Sequence, residues 1–521
     1  MKRILYFLFT GFIILFWSSC RNDFDFSPST GGLEFSKDTI YLDTVFSNIG
    51  SSTYNLKVYN RSNEDISIPT VRLGEGQGSR YRLNVDGIAG KEFNDVELLA
   101  KDSLYIFVET TADIQSLSQN SLQFLYTDVI AFDSGTNFQK VELVTLVKDA
   151  NFIYPNKNAA TGIIETLSFD VDGDGEIDQT NLQGRFLEAD ELTFTNEKPY
   201  VIYGFAAVNA GDVLTIDAGA RVHFHANSGL LVTNNASLKV NGELSIDQEL
   251  LENEVIFESD RLEPGFANVP GQWSTIYLFN GSVANEINYA TIKNATVGIL
   301  TEGNQDAPNP KLSIRNSQIY NSSAFGILAT ASSITAKNLV LNNSGQSSFA
   351  GTGGGRYNFT HCSIANYWNT GFRQFPSLFL TNYVTGSDGN DVGNNLAEAN
   401  FNNCIIYGND NPELTFDELN GFDLNFKFTN CLIRFQDTNG NFIGENYNFS
   451  NTDRYENCIL NGEPDFKAPF ENELMIGNAS AANGQGNSDF ANQVPFDILN
   501  TGRTASPDLG AYQHLTFEDE D

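Results

Sequence analysis

The chain has 521 residues, 30 Lys and Arg against 65 Asp and Glu, and a formal net charge of −35. That length predicts two to four domains with a large core, and the charge excludes nucleic acid, because nothing here neutralises a run of phosphates, as it excludes a basic membrane-surface patch. Hydrophobic residues make up 41% and 41 residues are Phe, so a core forms despite the charge, and the composition fits an extracellular all-β protein rather than a disordered one.

Lys2 and Arg3 precede an apolar stretch of 14 residues, Ile4 to Trp17, closed by Ser18-Ser19-Cys20. The stretch is shorter than the roughly 20 residues that span a bilayer as a helix, and it reads as a signal-peptide core. The small residues before Cys20 resemble a bacterial lipobox, although Trp17 stands where most lipoboxes carry Leu. Residues 1–19 are therefore expected as a lipoprotein signal peptide and Cys20 as the lipidated first residue of the mature chain. Residues 20–32 are polar and Gly/Ser-rich, and are expected as a tether.

Residues 33–150 alternate with period two, as in Leu56-Lys57-Val58-Tyr59 and Leu104-Tyr105-Ile106-Phe107-Val108-Glu109, with turn residues between the runs. Short alternating strands at this spacing predict an Ig-like β-sandwich. The block has no Cys and no His, and is expected to be a spacer or interaction module.

Residues 151–200 are expected as a linker that carries an Asp-rich loop. Asp170, Asp172 and Asp174 occupy loop positions 1, 3 and 5, Gly175 supplies the turn, Glu176 offers a carbonyl, Ile177 would anchor the loop to the core, and Asp178 stands at position 9. Ca²⁺ takes six to eight oxygens, and carboxylates at alternate positions of a tight loop converge on one point. Asn181 replaces the closing Glu of an EF-hand, so a closing acid would come from Glu188 or Asp190. The loop predicts a structural Ca²⁺ at Asp170, Asp172, Asp174, Glu176 and Asp178.

From residue 201 to 515 short strands recur. Apolar anchors stand at Ile292, Ile319, Leu341, Ile364, Ile406, Ile433 and Leu460, at intervals of 27, 22, 23, 42, 27 and 27. The interval of 42 reads as two coils of 21 if Leu378 to Asn382 forms a rung. Two residues before the anchors stand Ala290, Ser317, Leu339, Cys362, Cys404, Cys431 and Cys458. Three before stand Tyr289, Asn316, Asn338, His361, Asn403, Asn430 and Asn457, and five before stand Ile287, Ile314, Ala336, Phe359, Phe401, Phe428 and Tyr455. Inward positions three apart break period two, and Asn, which tolerates left-handed backbone, explains the break. A second Asn column lies two after the anchor, at Asn294, Asn321, Asn343 and Asn366. Such repeats imply parallel β-coils. Cysteines in one column of parallel rungs point the same way, so they are expected as reduced core thiols and not as disulfides.

This coil pattern resembles a right-handed parallel β-helix of the pectate-lyase-like type, with three short strands per coil, ahead of an acidic tail at 516–521. The ending Ser506-Pro507-Asp508-Leu509-Gly510-Ala511-Tyr512, with Asp43 to Phe46 and Lys198 to Gly204, is similar to Bacteroidetes surface lipoproteins of unassigned function. The resemblance implies a cell outer-membrane location, lipid-anchored and surface-exposed. The wider fold serves lyases, hydrolases, adhesins and passive spikes, and fold alone does not choose among them.

A lyase needs cations beside a base, and basic residues on the coils are few: Lys293, Arg315, Lys337, Arg373 and Arg434. Arg373 follows Thr370-Gly371-Phe372, in apparent register with Val297 to Leu300 and Phe325 to Leu328, which places Glu302 and Arg373 on a candidate glycan face. Paired carboxylates for a hydrolase do not emerge from the register. His223 and His225 alternate on one strand, as a metal pair or, more simply, as a polar outer face. No catalytic residue is assigned. The expected function is a non-catalytic binding or structural lipoprotein that engages glycans or a surface protein, with a carbohydrate-active enzyme as the alternative.

Overall fold

The computed structural model describes residues 25–118, 121–133, 135–171 and 174–517. The chain forms two compact units, Met1–Asp149 and Ala150–Asp521, and both are mostly β.

In the first unit the period-two runs become two small sheets. One holds Ile66–Leu73, Gln123–Phe132, Gln139–Lys148 and Thr39–Phe46 in that order, with Ser27–Pro28 and Glu92–Leu98 both pairing with Ile66–Leu73. The other holds Glu34–Phe35, Tyr54–Tyr59, Ser103–Thr110, Tyr81–Val85 and Ile88–Gly90. Alternate residues of both sheets, among them Leu56, Val58, Ile106, Ile68, Val71 and Ile130, are fully buried in one core. The buried Tyr81 hydroxyl lies 3.1 Å from both the Tyr126 carbonyl and Thr145 Oγ1, so its burial leaves no unmet donor. Ser27–Pro28 lies inside the expected tether yet adds a short parallel strand.

The second unit is built on one long, almost wholly parallel path of 27 strands, consistent with a β-helix. Strands pair with the third strand onward. Tyr200–Ile202 is followed by Arg221–Phe224, Val255–Ser259 and Ala290–Lys293; Phe205–Val208 is followed by Gly229–Val232, Ile276–Leu278 and Val297–Glu302. The anchors pair in the expected register: Ile292 with Ile319, then Leu341, Ile364, Ile406, Ile433 and Leu460. Five residues before them, Ile287 to Tyr455 pair in the same order. The aromatic members stack, with ring centroids 5.2 Å apart for Phe359 and Phe401 and 4.8 Å for Phe401 and Phe428.

The residue three before each anchor is left-handed in all seven coils, with φ between 45° and 53° from Tyr289 to Asn457. This reversal lets two inward positions stand three apart. Asn316 donates to Asn288 and accepts from Asn338, so neighbouring rungs share amides. In the second column Asn321 donates to Asn294 and Asn343 to Asn321.

Cys362, Cys404 and Cys431 are fully buried and Cys458 partly so, and all four are free thiols. Their sulfurs point at rung carbonyls, such as Cys404 at Asn402 and Cys431 at Phe401, each 3.2 Å away. Burial pushes the Cys362 and Cys431 thiols well up, which keeps them protonated and unreactive. With Cys20 set aside, native protein is expected to react first at Cys458, and the other three are expected to react only on unfolding. Thiol labelling read by mass spectrometry checks this, and early reaction at Cys404 would refute the inward column.

Three features differ from the expectations. The interval of 42 is a single coil, because Ile364 pairs directly with Ile406. Leu378–Thr381 is a rung of another column, between Phe349 and Leu414, and the extra chain includes the hairpin Tyr383–Thr385 with Asp391–Gly393. The segment 151–200 is not a free linker. Asn151–Ile153 is the first rung beneath Tyr200–Ile202, and the Asp-rich loop joins the antiparallel strands Thr166–Phe169 and Asp178–Phe186.

The third difference lies at the end of the chain. The long sheet ends at Ile459–Leu460, and the following segment packs against its outer face. Leu474, Ile476, Ile498, Leu509 and Ala511 form a second core with Val340, Ala365, Ile405, Tyr407 and Leu432. Amides fasten it: Asn338 donates to the Phe496 carbonyl at 3.0 Å and Asn430 to the Gln485 carbonyl at 2.9 Å. Arg503 is fully buried and donates to the carbonyls of Gly510 and Ala511 and to Asn338 Oδ1. The Asp508 carboxylate accepts from the amides of Gly484 and His514, so the Pro-Asp-Leu-Gly-Ala-Tyr ending is a fastening of this cover.

Candidate functional site

The face that the cover leaves open lies on the strands Ser237–Asn241, Asn285–Asn288, Leu312–Ser322 and the rungs beyond. Side chains alternate across a strand, so Val240, Ile287, Ile314, Ala336 and Phe359 fill the interior while their neighbours point out. One outward column runs Lys239, Glu286, Ser313, Thr335, Asn358, Asn400, Lys427, and the next runs Asn241, Asn288, Arg315, Lys337, Thr360, Asn402. Every member is polar. At about 4.8 Å per rung, seven rungs give a face roughly 29 Å long. Its first four rungs form a groove of about 460 Å³, lined by Glu243, Glu286, Asn288, Arg315, Thr335 and Lys337 among others.

Charges in the groove are unevenly matched. Lys239 pairs with Glu286 at 2.6 Å. Arg315 donates through Nε to Asn288 Oδ1 at 3.1 Å, and among the described residues neither Arg315 nor Lys337 has a carboxylate partner. The other coil cations are committed: Lys293 to Glu258 at 2.8 Å, Arg434 over the Tyr407 ring, and Arg373 to Glu413.

Arg373 is a correction. Its side chain is 3% exposed and forks onto both oxygens of the fully buried Glu413, at 2.6 and 2.8 Å, so it presents nothing to a sugar. Thr370-Gly371-Phe372 is loop and not the third Gly-containing rung; Ile327 pairs instead with Phe349. Glu302 does end the strand Val297–Glu302, where it accepts from the Tyr277 hydroxyl at 2.6 Å. Its main-chain carbonyl accepts from Lys311, an ammonium that burial lowers to about 7. Glu302 and Arg373 therefore do not form one face.

The Asp-rich loop is exposed. Asp170 accepts from the Gly175 amide at 3.1 Å, Asp174 from Glu176 at 2.8 Å and Asp178 from Val171 at 3.1 Å. Asp172 lies outside the described residues, as does Cys20. Ile177 is 66% exposed and does not anchor the loop. Glu188 caps the short turn Ala189–Glu191 with Glu191. Among the described residues no group of three or more His, Cys, Asp or Glu gathers closely enough to hold a metal. The two histidines part company: His223 is buried with Nδ1 3.0 Å from the Ser259 carbonyl, while His225 pairs with Asp260 at 2.8 Å, which raises its pKa.

No family model matches the chain, and no curated protein does. Among solved structures, a family 123 glycoside hydrolase from Clostridium perfringens aligns at 8% identity with a TM-score of 0.16, over 23% of this chain and 27% of that one. A likeness of that extent carries no argument about function.

Proposed function

We propose that this protein is a lipid-anchored, surface-exposed lipoprotein of a bacterial outer membrane that binds glycans without cleaving them. In this reading Cys20 carries the anchor, the first unit is an Ig-like spacer, and the second is a right-handed, pectate-lyase-like β-helix that presents the polar groove. The unbroken polar face with Arg315 and Lys337 free of carboxylates is the observation that carries it. Rungs about 4.8 Å apart offer a repeating set of amide, hydroxyl and cationic donors along an extended chain of sugars. The alternate spacing of Asp170, Asp172 and Asp174 in the sequence between two paired strands supports a structural Ca²⁺.

Incubation of the purified full-length protein with a panel of acidic and neutral glycans tests the reading. At least one glycan is expected to be retained uncleaved, and Arg315→Ala with Lys337→Ala is expected to weaken retention about tenfold. New reducing ends or unsaturated products would replace binding with catalysis. Retention unchanged in the double variant would move the site elsewhere.

A further inference from the structure

Arg315 and Lys337 stand in register on adjacent rungs and line the polar groove together. Like charges facing across neighbouring strands repel. Among the described residues neither meets a carboxylate, whereas Lys239, Lys293 and Lys427 on the same coils each do. The guanidinium is also aimed. Asn288 Oδ1 accepts from Arg315 Nε and from Asn316 Nδ2, each at 3.1 Å, while Asn288 Nδ2 donates to the Gly242 carbonyl at 3.0 Å. Both Arg315 Nη groups remain to offer a planar fork that fits a carboxylate or a sulfate, and Lys337 adds a point charge one rung on.

The opposite end of the groove carries the opposite sign. Glu286 is matched by Lys239, but Glu243, which follows the rung Ser237–Asn241, is exposed and makes no ion pair among the described residues. It stands two to three rungs from the cations, about 10–14 Å. The outward positions on either side of Arg315 and Lys337 in their column are Asn241, Asn288, Thr360 and Asn402, which offer neutral donors and acceptors. An anion is therefore favoured at one place in the groove, and a second one at the Glu243 end is repelled.

We propose that the groove recognises an acidic sugar residue flanked by uncharged ones, with its carboxylate or sulfate on Arg315 and Lys337 and its neutral neighbours on the amide and hydroxyl rungs. This rests on the glycan reading of the groove given above. It excludes a chain charged at every ring, which would set a further anion against Glu243.

Calorimetric titration of the full-length protein with two pairs of polymers tests it: glucuronoxylan against its carboxyl-reduced form, and κ-carrageenan against its desulfated form. Polygalacturonate serves as the uniformly charged chain. At low ionic strength the charged member of at least one pair is expected to bind about tenfold more tightly than its neutral form, and the pair that responds assigns carboxylate or sulfate. Polygalacturonate is expected to bind about tenfold more weakly than the responsive polymer. Arg315→Gln with Lys337→Gln should erase the difference within the pair, and Glu243→Gln should raise polygalacturonate affinity severalfold. Equal binding within both pairs would overturn the proposal and leave glycan binding standing. Polygalacturonate binding as tightly as the responsive polymer would overturn it as well. If none of the five polymers binds, the proposal falls, and the glycan reading falls with it only if the wider panel of glycans is not retained either.

Discussion

Arg373→Met is expected to destabilise the second unit by about 3–5 kcal/mol, the cost of stripping one partner from a buried ion pair. Glu413 is fully buried and accepts from both Arg373 nitrogens, the Ser377 amide and hydroxyl, and the Asp410 amide. Without the guanidinium its charge has no counter-ion and no route to solvent. Arg373 also donates to the Phe375 carbonyl at 2.8 Å, so the loop after Asn366 loses its fastening. The double variant Arg373→Met with Glu413→Leu removes both charges and should recover most of the loss. Chemical unfolding of the single and double variants against the parent checks it. A single-variant cost below about 1 kcal/mol would mean that water reaches Glu413.

Asn403→Leu carries the second large effect, about 3–5 kcal/mol. Its φ is 52°, which costs a branched apolar residue about 1–2 kcal/mol. Its side chain donates to the Asn487 carbonyl at 2.9 Å and accepts from the Asn487 amide at 2.8 Å, and each buried group left unmet adds about 1–3 kcal/mol. Asn403→Gly separates the two parts, since glycine takes the backbone angle freely and loses only the side-chain bonds. It should cost about half as much. Equal costs for Leu and Gly would show that the left-handed angle contributes nothing.

The anchor register was legible in the sequence because three independent columns agreed on it: the apolar anchor, the Asn before it and the aromatic position before that. A left-handed turn narrows residue choice to Asn and its few substitutes, so the column was visible even with Tyr289 and His361 in it. The cover leaves no trace in the inward positions; its signal lies in an outward column. Val340, Ile405, Leu432 and Ile459, one before the anchor, are apolar where Thr291 and Gln318 are polar. An outward column that turns apolar announces something laid over it. The place of Arg373 is hidden in the sequence because a Gly-Phe pair imitates a rung, while the partner that defines its role, Glu413, lies 40 residues onward. The groove could be anticipated only in outline, from Arg315 and Lys337 in one column.

The cover imposes an order on biogenesis. Its docking surface, Val340 to Leu432, belongs to coils made earlier in the chain, and the residues that shield it, Leu474 to Ala511, come last. During synthesis the coils emerge first, and an apolar stripe stays bare until Leu474 to Ala511 arrive. A chain truncated near Leu460 would keep nearly every rung and still expose that stripe, so quality-control proteases and chaperones would meet a nearly complete solenoid with an adhesive flank.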